Sequence, residues 1–352
     1  MRLRYSFMVG LLLAVSALAL WALPQDDKAK DSRKEEPYTL QVDVDLVNLA
    51  VAVACPSGNF ITDLKKANFT VFEDKVEQRI TNFATVDAPF AVALVLDTSS
   101  STEGKLARIQ DEAIRFVEQI HPDDEVMVIS FDDEVHLETD FTSNRRAIER
   151  AIKRTRTGMS TQLYEAVYLS LEEKLKKKRE RKAMVLFTDG VDTSSPTSSA
   201  KETIEAAKET DALIFPIFFD TSRDMSRLSR GGPFPGGGGN PRFPVPGRVP
   251  VDTRSPRQRD DDEQRMRMEI QRGRGYLHDL AEATGGTLYA ADGLDSLGGA
   301  FSKIATELRS LYNVGYVSTN QKKDGKFRKL TVKVDRPDSV VKAKKGYYSQ
   351  KK

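Results

Sequence analysis

The stretch that decides the fold is FAVALVLDTSSST, residues 90–102. It opens with an unbroken apolar run, which is typical of a strand buried on both faces within a parallel sheet. The run stops at Asp97 and continues into small hydroxyl side chains. Such an ending fits either a surface turn or a site for a hard metal ion, and the rest of the chain has to decide between them.

Further apolar runs follow along the chain. EVMVISF (125–131), KAMVLFT (182–188) and ALIFPIFF (212–219) are typical of buried strands, and EVHLETDFT (134–142) of an antiparallel edge strand. Between these runs, apolar residues recur at helical spacing. Strands that alternate with helices predict an α/β domain over residues 90–308, with a mostly parallel sheet flanked by helices.

The segments on either side of this domain are mainly β. Residues 38–89 and 309–352 alternate apolar and polar side chains, and KDGK (323–326) predicts a turn between two strands of the second segment. We predict that both segments form one small sandwich-like β domain into which the α/β domain is inserted. Residues 221–274, rich in glycine, proline and arginine, predict a flexible insertion that is helical near its end, around 260–272.

The first residues predict export. A basic start, MRLRYSF, precedes the apolar stretch MVGLLLAVSALALWAL, and the sequence then turns polar. This order predicts a signal peptide over residues 1–23 and a linker over 24–37, and hence a periplasmic, secreted or cell-envelope protein. An uncleaved membrane anchor is the alternative, because the apolar stretch approaches the about 17 residues of a short span.

Composition and motifs argue against several function classes. The 54 basic and 52 acidic residues are nearly balanced, which gives no case for nucleic-acid binding. Cys55 is the only cysteine, so no internal disulfide is expected, and His121, His136 and His278 do not follow a metal-ligand pattern. Phosphate-loop, nucleophile-elbow and H-E-x-x-H motifs are missing, so we predict a protein that is not an enzyme.

Oxygen-bearing side chains follow the strand ends. Asp97, Ser99 and Ser101 form a D-x-S-x-S pattern, Thr161 stands in STQLYEA, and Asp189 follows the strand KAMVLFT. Carboxyl ends of parallel strands meet at one edge of a sheet, where ligands bind. Mg²⁺ prefers oxygen ligands of this kind, whereas zinc and copper sites would use nitrogen or sulfur.

The order and context of these residues resemble the metal-ion-dependent adhesion site (MIDAS) of von Willebrand factor A domains, over about residues 91–308. The flanking β segments also resemble a group of related proteins found in acidobacteria. The resemblance implies a Rossmann-like fold of the von Willebrand factor A type. It further implies that Ser99 and Ser101 bind the metal directly, Thr161 directly or through water, and Asp97 and Asp189 mostly through water.

The resemblance also implies a function. In that family an aspartate or glutamate of a partner protein commonly completes the metal coordination, so we expect metal-dependent protein binding, in adhesion or complex assembly. Mg²⁺ is the expected ion, with Mn²⁺ and Ca²⁺ as alternatives, and segments 102–105, 160–162 and 191–195 are the expected contact loops. A structural envelope protein whose metal only joins loops, or a metal-dependent hydrolase, are the alternatives. The sequence names neither the partner nor the oligomeric state.

Overall fold

The structure is a computed structural model. It describes residues 46–85, 89–178, 181–220, 256–349 and 351. The predicted signal peptide and linker lie outside the described residues, as do residues 38–45 of the first β segment and 221–255 of the predicted insertion. No helix of the described ranges combines the length and the apolar character needed to cross a membrane.

The described residues form strands and helices in the following order along the chain. The strands are β1 Leu46–Ala54, β2 Phe69–Glu73, β3 Val76–Gln78, β4 Ile80–Ala84, β5 Phe90–Asp97, β6 Glu125–Phe131, β7 Val135–Thr142, β8 Arg181–Thr188, β9 Leu213–Phe219, β10 Tyr289–Ala291, β11 Tyr312–Val317, β12 Phe327–Val334, β13 Val340–Lys342 and β14 Gly346–Tyr348. The helices are α1 Leu106–Gln119, α2 Arg145–Arg154, α3 Leu163–Leu169, α4 Ala200–Glu209, α5 Pro256–Thr284 and α6 Leu294–Leu308.

The central layer is a six-stranded sheet in the order β10-β9-β8-β5-β6-β7. Neighbouring strands are parallel except β6 and β7, so the predicted antiparallel edge strand is confirmed. β5 is buried along its whole length, as its apolar run predicts. Its central position explains this burial, because strands flank it on both sides and helices cover both faces.

Side chains of the central sheet alternate between two hydrophobic cores. On β5, Val92, Leu94 and Leu96 face a core completed by α1, α2 and α6. Ala93 and Val95 face the opposite core, which α3, α4 and α5 complete. The predicted α/β layering, with a mostly parallel sheet between helices, is therefore confirmed.

The two flanking segments form antiparallel sheets in the orders β13-β1-β11-β4 and β14-β12-β2-β3. Each sheet combines strands from both ends of the chain, since β1 pairs with β11 and β2 pairs with β12. Leu49, Val71 and Tyr312 share one core between the sheets. The buried Glu73 carboxylate joins the sheets as well, because it accepts a hydrogen bond of 2.7 Å from the Tyr316 hydroxyl. The sandwich-like arrangement around an α/β unit agrees with the predicted fold class.

The structure refines two sequence predictions. The predicted helix near the end of residues 221–274 is present but longer than expected, because residues 256–284 form the single helix α5, whose Ile270 and Leu277 are buried in the core, so residues 256–274 are helical rather than flexible. The KDGK turn, with Gly325 at φ +67°, does not close a hairpin. Strands β11 and β12 on either side of it pair with different partners and belong to different sheets.

Candidate metal centre

The candidate site lies where the strand order of the central sheet reverses. The chain runs outward from β5 through β6 and β7, and then returns to β8 on the other side of β5. Parallel sheets bind ligands at the carboxyl ends of their strands at such a reversal. Asp97 ends β5 and Asp189 follows the last residue of β8, with Leu96 and Phe187 paired across the two strands. The structure thus brings both predicted aspartates to the same edge of the sheet.

The Asp97 carboxylate is completely buried and is held by hydrogen bonds from two directions. Its Oδ1 accepts from the Ser99 hydroxyl at 2.6 Å and from the Ser99 amide at 3.0 Å. Its Oδ2 accepts from the Thr188 hydroxyl at 2.6 Å. Because both oxygens are fixed, the carboxylate has a defined orientation toward the loop that follows β5.

Burial, and then the negative charge of Asp189, raise the pKa of Asp97 to about 7. Hydrogen bonds from Ser99 and Thr188 act in the opposite direction but do not cancel these effects. Asp189 is itself buried, and its Oδ1 accepts from the Val191 amide at 3.1 Å. A buried carboxylate whose pKa is raised by a neighbouring negative charge forms a place where a cation is stabilised.

Ser99 and Ser101 project their hydroxyls toward each other. Their Oγ atoms lie 3.1 Å apart. Neighbouring ligands of an octahedral Mg²⁺ at about 2.1 Å would be about 3 Å apart, so this spacing fits a shared hard cation. The loop is held in shape by Thr102, whose hydroxyl donates to the Ser99 carbonyl at 2.8 Å, and by Lys105, whose Nζ donates to the Ser101 carbonyl at 3.1 Å.

Thr161 lies on the loop that leads into α3 and is buried. Its amide donates to the Thr193 hydroxyl at 2.8 Å, and its carbonyl accepts from the amides of Thr193 and Ser194. The same loop reaches the β5 end, because the Gly158 amide donates to the Thr98 carbonyl at 2.9 Å. Hydrogen bonds therefore join the three loops that carry the predicted ligands.

The donor set of this site consists of carboxylates and hydroxyls. It fits Mg²⁺ or another hard divalent cation, and it offers no sulfur or imidazole for a softer one. Of the predicted contact loops, residues Glu103 and Gly104 are exposed whereas Thr102 is buried. Thr193 is also exposed, so each of these two loops presents part of its surface beside the site.

Sequence reasoning missed two residues that position the site. Thr188 orients Asp97, and its only sequence signal is that it ends the apolar run before Asp189. Asp133, in the loop after β6, holds the Thr161 loop by accepting from the Ser160 amide at 3.0 Å and from its hydroxyl at 2.6 Å. These hydrogen bonds keep the pKa of Asp133 below its usual value. Nothing in the pattern of residues 132–134 indicates this contact.

A second acidic group includes a histidine, although no histidine pattern was predicted. His278, Asp279 and Glu282 are exposed on α5, and each offers a ligand atom within 4.8 Å of the others. Glu282 is already paired with Lys345. The exposed position and this ion pair make the group a poorer cation site than the buried Asp97 and Asp189.

The chain is similar to several known proteins. An uncharacterised protein of Synechocystis sp. is 32% identical over 106 residues, which are 29% of this chain and 25% of that protein, so the chain spans about a quarter of the relative's length. Proximal thread matrix protein 1 of the mussel byssus, solved with a zinc-occupied MIDAS motif, has a TM-score of 0.45 at 13% identity, covering 68% of this chain and 50% of its own. A von Willebrand factor type A protein of Catenulispora acidiphila has a TM-score of 0.45 at 10% identity, covering 88% and 64%.

The family assignment rests on the sequence of the site-bearing segment. Residues 92–191, from β5 to just beyond Asp189, match the family described as von Willebrand factor type A domain. The likeness to an acidobacterial group stays a prediction. Over residues 92–191 this protein therefore matches the von Willebrand factor type A domain, as the pattern of its site residues predicted.

Proposed function

We propose that this protein binds a partner protein through a divalent metal ion, by default Mg²⁺, at the Asp97–Asp189 edge of the central sheet. Ser99, Ser101 and Thr161 would hold the ion through their hydroxyls, and the two aspartates mostly through water. When bound, the ion supplies a positive charge that accepts a carboxylate oxygen of the partner's aspartate or glutamate. The observation that carries this proposal is the pair of buried carboxylates beside two hydroxyls spaced 3.1 Å apart.

The charges of the site explain why binding of an acid would require the metal. Asp97 and Asp189 lie at the centre, and Glu103 and Glu134 are exposed on the adjoining loops. Without a cation, this surface repels a carboxylate. Hydroxyl ligands are neutral, so a bound ion would keep much of its charge and attract the partner's acid.

The remaining predictions complete the proposal. The N-terminal pattern supports export to the periplasm, cell envelope or exterior. A non-enzymatic role is supported by the site's composition, because no histidine lies next to Asp97 or Asp189 along the chain to act as a base. The partner is a protein with an available acidic side chain.

A metal titration followed by partner capture tests the proposal. Isothermal titration calorimetry with Mg²⁺, Mn²⁺ and Ca²⁺ would compare the wild type, Asp189→Asn and the control Asp123→Asn. Asp123 is exposed and precedes β6 at the opposite edge of the sheet. We expect Asp189→Asn to weaken metal affinity by about 10–100-fold and the control to match the wild type.

Capture from an envelope extract, with and without chelator, then separates recognition from a structural metal. Metal-dependent recognition predicts that the chelator and Asp189→Asn abolish the same captured species. If both leave capture unchanged while the metal still raises the melting temperature, the metal only joins loops and the proposal fails. Turnover of phosphoesters or peptides that Asp97→Ala abolishes would instead establish an enzyme.

A further inference from the structure

The rim of the candidate site carries an exposed apolar side chain. Met159 is 80% exposed and precedes Thr161 by two residues. Other residues of the adjoining loops, such as Glu103, Glu134 and Thr193, are charged or polar. Single exposed apolar residues are common on protein surfaces, but Met159 lies on the loop that carries the candidate ligand Thr161, where a partner docked at the metal would meet it.

The backbone that presents Met159 is fixed in place. The Asp133 carboxylate accepts from the Met159 amide at 2.9 Å and from the Ser160 amide at 3.0 Å. A Cβ atom on Gly158 would lie 2.6 Å from Asp132, so the glycine allows the loop to pack directly against the loop after β6. On its other side, the Ser160 hydroxyl accepts from the Ser194 hydroxyl at 3.0 Å.

This anchoring matters for binding energy. A loop that is already ordered loses little conformational entropy when a partner docks on it. Methionine is unbranched and polarisable, so it adapts to apolar surfaces of different shape, as at other binding surfaces. A rigid backbone that carries an adaptable side chain is suited to a contact that tolerates some variation in its partner.

We propose that Met159 forms the apolar contact of the metal-dependent interface and selects partners in which a bulky apolar side chain lies within about two residues of the metal-binding acid. The limit of about two residues follows from the distance between Met159 and Thr161 along the chain, because two residues span at most about 7 Å. The inference rests on the proposed function, since the partner's acid sets its position. The partner it describes is a protein segment with an acid and a neighbouring leucine, isoleucine, methionine or aromatic residue.

A displayed peptide library tests this inference on the full chain. The library would be selected in the presence of Mg²⁺ on the wild type, on Met159→Gln and on the control Leu137→Gln. Leu137 is 47% exposed on β7 and does not belong to the loops of the site. We expect the wild type and the control to enrich acids with an apolar neighbour, and Met159→Gln to enrich acids without that neighbour.

Affinities of one selected peptide then give the coupling between the two side chains. Wild type and Met159→Gln would be titrated with the peptide and with its variant carrying serine for the apolar residue, each at saturating Mg²⁺. Because the contact buries part of a methionine side chain, we expect either single change to lower the peptide affinity by about fivefold to tenfold, and both changes together to lower it little further.

The outcomes distinguish the two proposals. The inference is overturned if the wild type and Met159→Gln enrich acids with the same neighbours. It is also overturned if the two single changes lower the affinity independently of each other. Either result leaves metal-dependent recognition intact. The proposed function, and the inference with it, is overturned if the selected peptides show no preference for acids or if a chelator does not change the selection.

Discussion

Alanine substitution at two glycines of one helix should change the free energy of unfolding in opposite directions. Gly273 and Gly275 both lie within α5. A Cβ atom on Gly273 would lie 2.6 Å from the backbone carbonyl carbon and oxygen of Gly190, whereas a Cβ on Gly275 would meet nothing within 4 Å. Gly190 adopts φ +82° directly after Asp189, so the helix packs against the backbone of the candidate metal loop.

The magnitudes follow from these contacts. Alanine in place of a helical glycine gains about 1 kcal/mol of intrinsic helix stability. Gly275→Ala should therefore raise the free energy of unfolding by about 0.5–1 kcal/mol. Gly273→Ala gains the same amount but forces two backbones apart, and overpacking costs about 1–3 kcal/mol even where side chains can adjust. We expect a net loss of up to about 2 kcal/mol in the free energy of unfolding for Gly273→Ala.

Urea unfolding with linear extrapolation measures both changes. Because Gly190 follows Asp189, Gly273→Ala should also displace the loop and weaken Mg²⁺ affinity in calorimetry, whereas Gly275→Ala should leave it as in the wild type. A Gly273→Ala protein as stable as Gly275→Ala would refute the close approach of α5 and the loop after β8. A destabilised Gly273→Ala protein with normal Mg²⁺ affinity would refute only the link to the site.

Three further changes test other parts of the molecule. Thr188→Val removes the hydroxyl that donates to buried Asp97 and should weaken Mg²⁺ affinity by about tenfold in calorimetry, while Thr188→Ser should retain most of it. Tyr316→Phe removes a hydrogen bond to the buried Glu73 carboxylate and should lower the free energy of unfolding by about 1.5–3 kcal/mol in urea titrations; no change would contradict a role in joining the sheets. Burial lowers the pKa of Lys344 to about 8, so between pH 8 and 10.5 the unfolded chain holds a proton that the folded chain has released, and stability should rise with pH by up to about 3 kcal/mol. Lys344→Met should lack this rise, and an equal pH dependence in both proteins would contradict it.

The layered fold was predictable because burial leaves a direct signature in sequence. The run 90–96 has no polar residue, which is typical of a strand covered on both faces. The edge strand β7 was predictable for the opposite reason, since its exposed face requires polar residues to alternate with apolar ones. The carboxyl-end rule for parallel sheets then brought Asp97 and Asp189 together without any knowledge of the loops.

Long-range contacts of single residues were not predictable. Ile270 on α5 packs in a core that other elements complete, which no local pattern shows. The separation of β11 and β12 into different sheets depends on pairing with β1 and β2, far away in sequence. Thr188 and Asp133 act through hydrogen bonds whose partners become neighbours only after folding.

The way the loops are joined bears on what the metal does. Gly158 is bonded to Thr98, Thr161 to Thr193, and Asp133 to Ser160, and each of these contacts is a hydrogen bond between protein groups. Loops already tied in this way need no ion to hold them together, so a metal whose only role is to join them would add little. The buried Asp97 carboxylate is different, because burial and the negative charge of Asp189 raise its pKa, and a bound cation would favour its ionised form. A cation at this edge therefore does more to change the charge of the surface than to hold the loops together, which favours recognition of an acidic partner over a structural metal.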